Sequence, residues 1–205
     1  TASTQTLKQI NKSTVLSTIY FHGPISRSEI AEVSHLSLAT VTNMVAELLK
    51  EKIILETGYQ ESRGGRRSAL LEINPEGSFI VGMEVGETEI TTIVTNIKLE
   101  TKILKKTFLD EKENRPATII SVIVNSVQSA LSEANVAVEK VLGIGIGVPG
   151  LVDRDKGVSI FAPNWGWHDI PIKKKVEEAL KVTTYVDNGA NVMALGEKWF
   201  GAAQG

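Results

Sequence analysis

The 205-residue chain is 42% hydrophobic, sets 22 Lys and Arg against 24 Asp and Glu, and contains no cysteine. Disulfides and thiolate metal sites are therefore excluded within it, and the near-neutral charge excludes a broadly basic nucleic-acid binder, leaving only a local patch for that role. The longest nearly apolar run, Val141 to Val152, is short and broken by Gly and Pro; no membrane span or secretory signal is visible, and the expected location is a reducing cytoplasm.

Thr4 to Phe21 reads as a helix with Leu7, Ile10, Val15, Leu16 and Ile19 facing inward, stopped by Gly23-Pro24. From Pro24 to Ile73 the pattern is that of a winged helix-turn-helix. A short helix opens at Ser26, with Glu29 three residues on as a capping box. It carries Ile30, Ala31 and Val33 and breaks at His35-Leu36-Ser37. A second helix is predicted over 38–48, where Leu38, Val41, Val45 and Leu48 share one face. Ser37, Ala39, Thr40, Thr42 and Asn43 make the other side small, uncharged and largely able to hydrogen-bond. Such a face can lie against base edges in a major groove, although two short helices with a polar outer face also occur in ordinary bundles.

Ile53 to Leu55 and Leu70 to Ile73 are predicted strands, and between them Thr57 to Ser68 holds Arg63, Gly64, Gly65, Arg66 and Arg67. Clustered arginines repel and paired glycines cost entropy, so the hairpin is a poor stabilising device. It suits a wing, because Gly admits a phosphate close to the backbone and Arg favours a narrow minor groove; a basic solvated loop is the plainer alternative. Residues 1–75 carry eight Lys and Arg against seven Glu, and the remainder fourteen against seventeen acidic residues. The basic signal is thus confined to the wing, and binding is expected to gain from dimerisation, which doubles the patch.

Asn74-Pro75-Glu76-Gly77 is a turn, which sets expected domains at 1–75 and 76–205. Phe79 to Val85, Ile90 to Asn96 and Lys102 to Phe108 read as three strands. A helix follows Pro116 with Ile119, Ile120, Ile123, Val124, Val127 and Leu131 inward. Val141 to Val148 reads as a buried strand, Ile172 to Leu180 as a helix, Thr183 to Val186 as a strand and Asn191 to Trp199 as a helix. Three meandering strands followed by alternating helices and strands is the order of an actin-like, ribonuclease-H-type α/β lobe.

Within this lobe Gly145-Ile-Gly147-Val-Pro149-Gly150 satisfies the dinucleotide fingerprint in letters only. That motif needs a helix opening on its last glycine, whereas Leu151 to Gly157 reads as a turn. A central strand that a ligand or backbone approaches closely is the better account. Ala162-Pro163-Asn164-Trp165-Gly166-Trp167 offers an amide beside flat apolar faces, which suits a sugar ring; an aromatic plug anchoring a loop is the alternative. Asp187-Asn188, at the end of a predicted strand, either faces a ligand crevice or forms an Asx turn capping the next helix. His22, His35 and His168 lack ligand spacing and read as structural or surface residues, and no metal site is expected.

With these residues assembled, the chain resembles the ROK family (repressors, open reading frames and kinases), specifically its repressor branch. Ile25-Ser26-Arg27-Ser28-Glu29-Ile30-Ala31 and Gly64-Gly65-Arg66-Arg67 are similar to that branch's helix-turn-helix and wing. Gly143-Ile-Gly145-Ile-Gly147-Val-Pro149-Gly150, Pro163-Asn164 and Ala190-Asn191-Val-Met-Ala-Leu-Gly196-Glu197 are similar to its sugar-binding lobe. The resemblance implies an α+β protein: an N-terminal winged helix-turn-helix followed by the first lobe of a sugar-kinase fold, the second lobe lying beyond Gly205. It implies DNA contacts from Arg27, Ser37, Ala39, Thr40, Thr42, Asn43 and residues 63–67, and sugar contacts from Asn164, Trp165, Asp187 and Asn188.

Two departures from the family's kinases bear on activity. Their phosphate turn, Asp-x-Gly-Gly-Thr, corresponds to Glu84-Val85-Gly86-Glu87-Thr88, whose second acid would repel a nucleotide's phosphates. Their catalytic base, in an Asn-Asp-Ala-Asn run, falls on Gly189, which cannot take a proton. No catalytic residue and no cofactor is therefore expected in this chain; the family's zinc site and Glu-x-Gly-His motif belong to the second lobe. The function implied is a sugar-responsive repressor acting on operator DNA, homodimeric at full length, with xylose the sugar the likeness favours. A ROK-type kinase with an accessory DNA-binding head is the rival, and a regulator that has lost its ligand response is a third.

Overall fold

The computed structural model describes residues 4–59, 68–110 and 114–202, with side chains from Thr6 onward. They form two compact units, Thr1–Gly77 and Ser78–Gly205.

The first unit runs α1 (Thr4–His22), β1 (Ile25–Ser26), α2 (Arg27–Ser34), α3 (Leu38–Lys50), β2 (Ile54–Tyr59) and β3 (Ala69–Ile73). Its sheet has the order β1-β3-β2, antiparallel throughout. The capping box forms as expected: Ser26 Oγ accepts from the Glu29 N–H, and the Ser26 N–H donates to Glu29 Oε2 at 2.9 Å. His35 ends α2 in the left-handed region (φ 55°), with its N–H donating to the Glu32 carbonyl. Ser37 then caps α3, accepting from the Thr40 N–H at 3.1 Å. Gly23 is required where α1 ends, because a Cβ there would come within 2.6 Å of the Ile19 carbonyl.

Val15, Ile19, Ile30, Val41, Val45, Leu48, Ile54 and Leu71 form the buried interior of this unit. Four expected core residues are outside it, Leu16 being only half-buried and the other three exposed. Leu38, the first residue of α3, is 55% exposed, and Met44 takes its place in the buried stripe. Leu7 and Ile10 are also exposed, although Leu7 still borders Met44 and Glu47 of α3. Along that contact Lys8 pairs with Glu47 and Lys12 with Glu51, each at 2.6 Å. The Lys8 hydrogen bond holds the Glu47 carboxyl below its usual pKa.

The second unit is built on a five-stranded sheet of order β11-β7-β4-β5-β6. Its strands are β4 (Phe79–Val85), β5 (Glu89–Asn96), β6 (Thr101–Phe108), β7 (Val141–Val148) and β11 (Thr184–Asn188). β4, β7 and β11 are parallel, and β5 and β6 join as antiparallel neighbours. The helices are α4 (Pro116–Glu133), α5 (Ile172–Leu180) and α6 (Gly189–Phe200). Alternate residues Phe79, Val81, Met83, Ile144, Ile146, Val148 and Val186 are buried in one core with Ile119, Ile123 and Val127 of α4 and Val176 of α5. Ile120 and Val124, expected inward, are only half-buried, and Ser126 and Ala130 complete the stripe.

On its alternate positions β7 carries Gly143, Gly145 and Gly147, and a Cβ on Gly147 would lie 3.2 Å from the Gly189 Cα. The start of α6 therefore meets the strand backbone to backbone. β6 forms one border of the sheet and carries Lys102, Lys105 and Lys106. Lys105 bonds Ser129 at 2.7 Å and pairs with Glu133, and Lys106 pairs with Glu89 at 2.6 Å.

Leu151 to Gly157 is not a simple turn. β8 (Leu151–Asp153), β9 (Val158–Ala162) and β10 (Trp167–Ile170) make a second antiparallel sheet, in which β8 and β10 are too short for a period-two pattern to register. No helix opens at Gly150, in keeping with the rejected dinucleotide motif. β11 extends through Asp187 and Asn188, which therefore lie within the strand, and α6 begins at Gly189, two residues early. No helix of the described residues is long and apolar enough to cross a membrane.

Candidate functional site

In the first unit Ser37, Ala39, Thr42 and Asn43 are exposed on or beside α3, and Thr40 is half-buried. Their polar groups are unequally available. Ser37 Oγ and Thr40 Oγ1 lie 2.8 Å apart within the helix cap, and Thr42 Oγ1 donates to the Leu38 carbonyl at 2.7 Å. Asn43 makes no hydrogen bond among the described residues, so both ends of its amide are available. Arg27, expected at the DNA, is ion-paired here: its Nη2 lies 3.0 Å from Glu56 Oε1, joining the start of α2 to β2. Glu56 gave no sign of this role in the sequence, being 29 residues from its partner. Arg63, Gly64, Gly65, Arg66 and Arg67 lie outside the described residues, between β2 and β3.

In the second unit polar groups collect where the parallel strands end at their carboxyl sides, the usual place for a ligand crevice in such a sheet. Glu84, Gly147 and Asp187 are in register across β4, β7 and β11, so a side-chain-free residue separates two acidic ones. Asp187 Oδ1 accepts from the Asn188 N–H at 2.7 Å and from Asn191 Nδ2 at 3.1 Å. Arg154, which the sequence did not single out, sits 3.5 Å from Asp187 Oδ2.

Asn188 uses both ends of its amide. Its Oδ1 caps α6 by accepting from the Ala190 and Asn191 N–H groups, and its Nδ2 donates to the Gly150 carbonyl at 2.6 Å. One amide hydrogen is left for a ligand. Gly150 has φ 88°, and a Cβ there would overlap the Phe161 carbonyl.

Pro163 to Trp165 form a single tight helical turn closed by Gly166 at φ 62°. Trp165 is half-buried, with its ring 4.5 Å from that of Trp167. Trp167 is the plug, 2% exposed and donating its indole N–H to the Asn114 carbonyl at 2.6 Å. Asn164 is exposed, and its Nδ2 donates to Glu87 Oε1 of the turn after β4. That contact joins residues 77 apart in sequence and had no local signal.

A cavity of about 620 Å³ opens beside α6, lined by Gly82, Gly145, Tyr185, Val192 and Leu195 and by the charged Arg154, Asp155, Lys173 and Asp187; Asn164, Trp165 and Asn188 are not among its lining residues. Among the described residues no group of three or more His, Cys, Asp or Glu could hold a metal ion.

The two units define a winged-helix head joined in one chain to a ribonuclease-H-type lobe with a polar crevice at its strand ends. The chain belongs to the ROK family, whose model matches residues 80–205, while that of the MarR family matches residues 10–55. It is 40% identical over 95% of its length to a putative xylose repressor of Caldicellulosiruptor sp. (strain Rt8B.4), and 34% identical over 97% to the xylose repressor of Bacillus subtilis (strain 168). It covers 49% and 51% of those proteins, about half the length of each. A crystal structure of a ROK family transcriptional regulator, a homologue of the Escherichia coli MLC protein, superposes with TM-score 0.76 and 27% identity, over 95% of this chain and 49% of that one. A ROK family glucokinase from Streptomyces griseus, in complex with glucose and AMPPNP, matches 62% of this chain and 38% of its own, with TM-score 0.50 and 31% identity.

Proposed function

We propose that the chain is the DNA-reading and sugar-sensing part of a transcriptional repressor, with a pentose, xylose, as effector. The observation that carries this reading is Gly189. It stands where the resemblance places the kinases' base, and it meets Gly147 backbone to backbone, so no side chain projects from that point. Asp187 is a poor substitute, because the Asn188 N–H, Asn191 and Arg154 already engage its carboxylate. Phosphoryl transfer is not expected, whereas hydrogen bonding to a sugar through Asn164, Asp187 and the spare Asn188 hydrogen remains open. Trp165 supplies an apolar face beside them. The glucokinase likeness favours the rival reading of a kinase carrying an accessory head.

In the head, α3 enters the major groove, with Asn43 as the base-reading side chain, since an amide can pair bidentately with adenine. Arg27 braces the hairpin, and Arg63, Arg66 and Arg67 enter the minor groove. Two heads in a homodimer span an operator of two half-sites. The sugar works by favouring a state in which both heads cannot seat together.

The test uses full-length protein on an operator selected from random duplexes, with xylose, glucose and N-acetylglucosamine as additions. Xylose is expected to release the DNA, and ATP-dependent phosphorylation of xylose is expected to be absent; robust turnover would establish the kinase reading instead. Arg66→Ala with Arg67→Ala should weaken binding and reduce the slope of log affinity against log salt by roughly two, about 0.9 per lost phosphate contact. An unchanged slope would remove the wing from the interface.

A further inference from the structure

The turn joining β4 to β5 carries a carboxylate that the reading above does not use. The turn is held at both ends: the Gly86 N–H donates to the Glu89 carbonyl at 2.9 Å, and the Thr88 carbonyl accepts from the Leu109 N–H at 2.8 Å. Glu87 is exposed at its tip, and its Oε1 accepts from the Asn164 amide. An ionised carboxylate can only accept, so this contact decides which end of Asn164 faces it. The NH₂ group is turned to Glu87, and the carbonyl Oδ1 makes no hydrogen bond among the described residues. Glu87 keeps further lone pairs on both oxygens, and no Lys or Arg is ion-paired with it among the described residues. The two side chains thus offer neighbouring acceptors, one of them charged.

Neighbouring hydroxyls of a polyol can donate to such a pair. A phosphate brings only oxygens and negative charge, and meets a like charge with a single amide hydrogen to offset it. Resting on the sugar-responsive reading, which takes Asn164 as a sugar contact, we propose that Glu87 is a specificity-determining residue beside it: with Asn164 it accepts hydroxyl hydrogens from a neutral sugar and turns sugar phosphates away. The glutamate that departs from the kinases' phosphate turn then has a positive role in choosing the ligand.

The experiment titrates full-length protein with xylose, xylose 1-phosphate and glucose 6-phosphate, read by calorimetry, for the unsubstituted protein and two variants. Glu87→Gln keeps an acceptor for the Asn164 amide and removes only the charge. It should weaken xylose binding about tenfold or more, the scale of a lost charge-assisted hydrogen bond, and narrow the preference over both phosphates. Glu87→Lys should reverse that preference. Xylose affinity within about twofold of the unsubstituted protein in Glu87→Gln, with no change in preference in either variant, would overturn the proposal. If the unsubstituted protein itself ignores every neutral sugar tried, the sugar-responsive reading falls as well, and the two failures are told apart by which protein does not bind.

Discussion

Leu48→Ala should unfold the first unit and leave the second standing. Leu48 is fully buried in α3 and belongs to the same interior as Val15, Ile19, Ile30, Val41 and Leu71. Truncating a buried leucine to alanine costs about 2–5 kcal/mol, because contacts are lost and the space left closes only in part. A core serving fewer than about 80 residues rarely supplies more than 3–5 kcal/mol in all, so the loss is comparable with the whole stability of the unit. The chain's own chromophores separate the two events. Trp165, Trp167 and Trp199 all belong to the second unit, and none to the first. Tryptophan emission therefore follows the lobe, while far-ultraviolet circular dichroism follows both. In a urea titration the variant should begin with a reduced helical signal and keep the tryptophan transition in place. Curves superimposable on the unsubstituted protein would mean that the cavity collapses at little cost.

Gly150→Ala is the corresponding prediction for the lobe. The residue sits at φ 88°, where a side chain adds roughly 1–2 kcal/mol of strain, and a Cβ would also overlap the Phe161 carbonyl. Phe161 pairs with Leu151 at the start of the β8–β9 hairpin, so the carbonyl can withdraw only by disturbing that pairing. The Gly150 carbonyl is also the acceptor for Asn188, the residue that caps α6. We expect more than about 2 kcal/mol of destabilisation, read as a lower midpoint of the tryptophan transition, together with loss of sugar binding. A midpoint and sugar affinity equal to those of the unsubstituted protein would show that the hairpin yields without cost.

Local chemistry made much of the fold legible in the sequence. Ser26 with Glu29 carries a hydrogen-bonding signal complete within four residues, and that cap forms; Ser37, read only as a groove-facing residue, also caps α3. The strand patterns of β4 and β5 alternate cleanly because one face is covered. Periodicity identifies an apolar face but not which of its residues a partner covers, and Leu7, Ile10 and Leu38 lie on such faces yet are exposed. β8 and β10 have three and four residues, fewer than a period needs to become visible. In the candidate site, Asp187 and Asn188 were visible as polar residues at a strand end, and the Asx-cap alternative for Asn188 describes its Oδ1 bonds. The contacts of Glu87 with Asn164 and of Arg27 with Glu56 cross 77 and 29 residues. Such pairs arise only when distant segments are folded together, and neither leaves a mark on its own neighbourhood.

The lysines of β6 have a bearing on how the protein behaves when concentrated. A border strand presents unpaired backbone groups that another molecule's border strand can join, and proteins commonly discourage this with charge. β6 places Lys102, Lys105 and Lys106 within eight residues. Joining two copies along this border would crowd Lys102 and the Lys105–Glu133 and Lys106–Glu89 pairs together and strip water from them, and lengthening the sheet by self-association is disfavoured from that side. Replacing these lysines with neutral residues would remove the deterrent and leave a strand carrying exposed Leu104 and Phe108, a composition prone to aggregation.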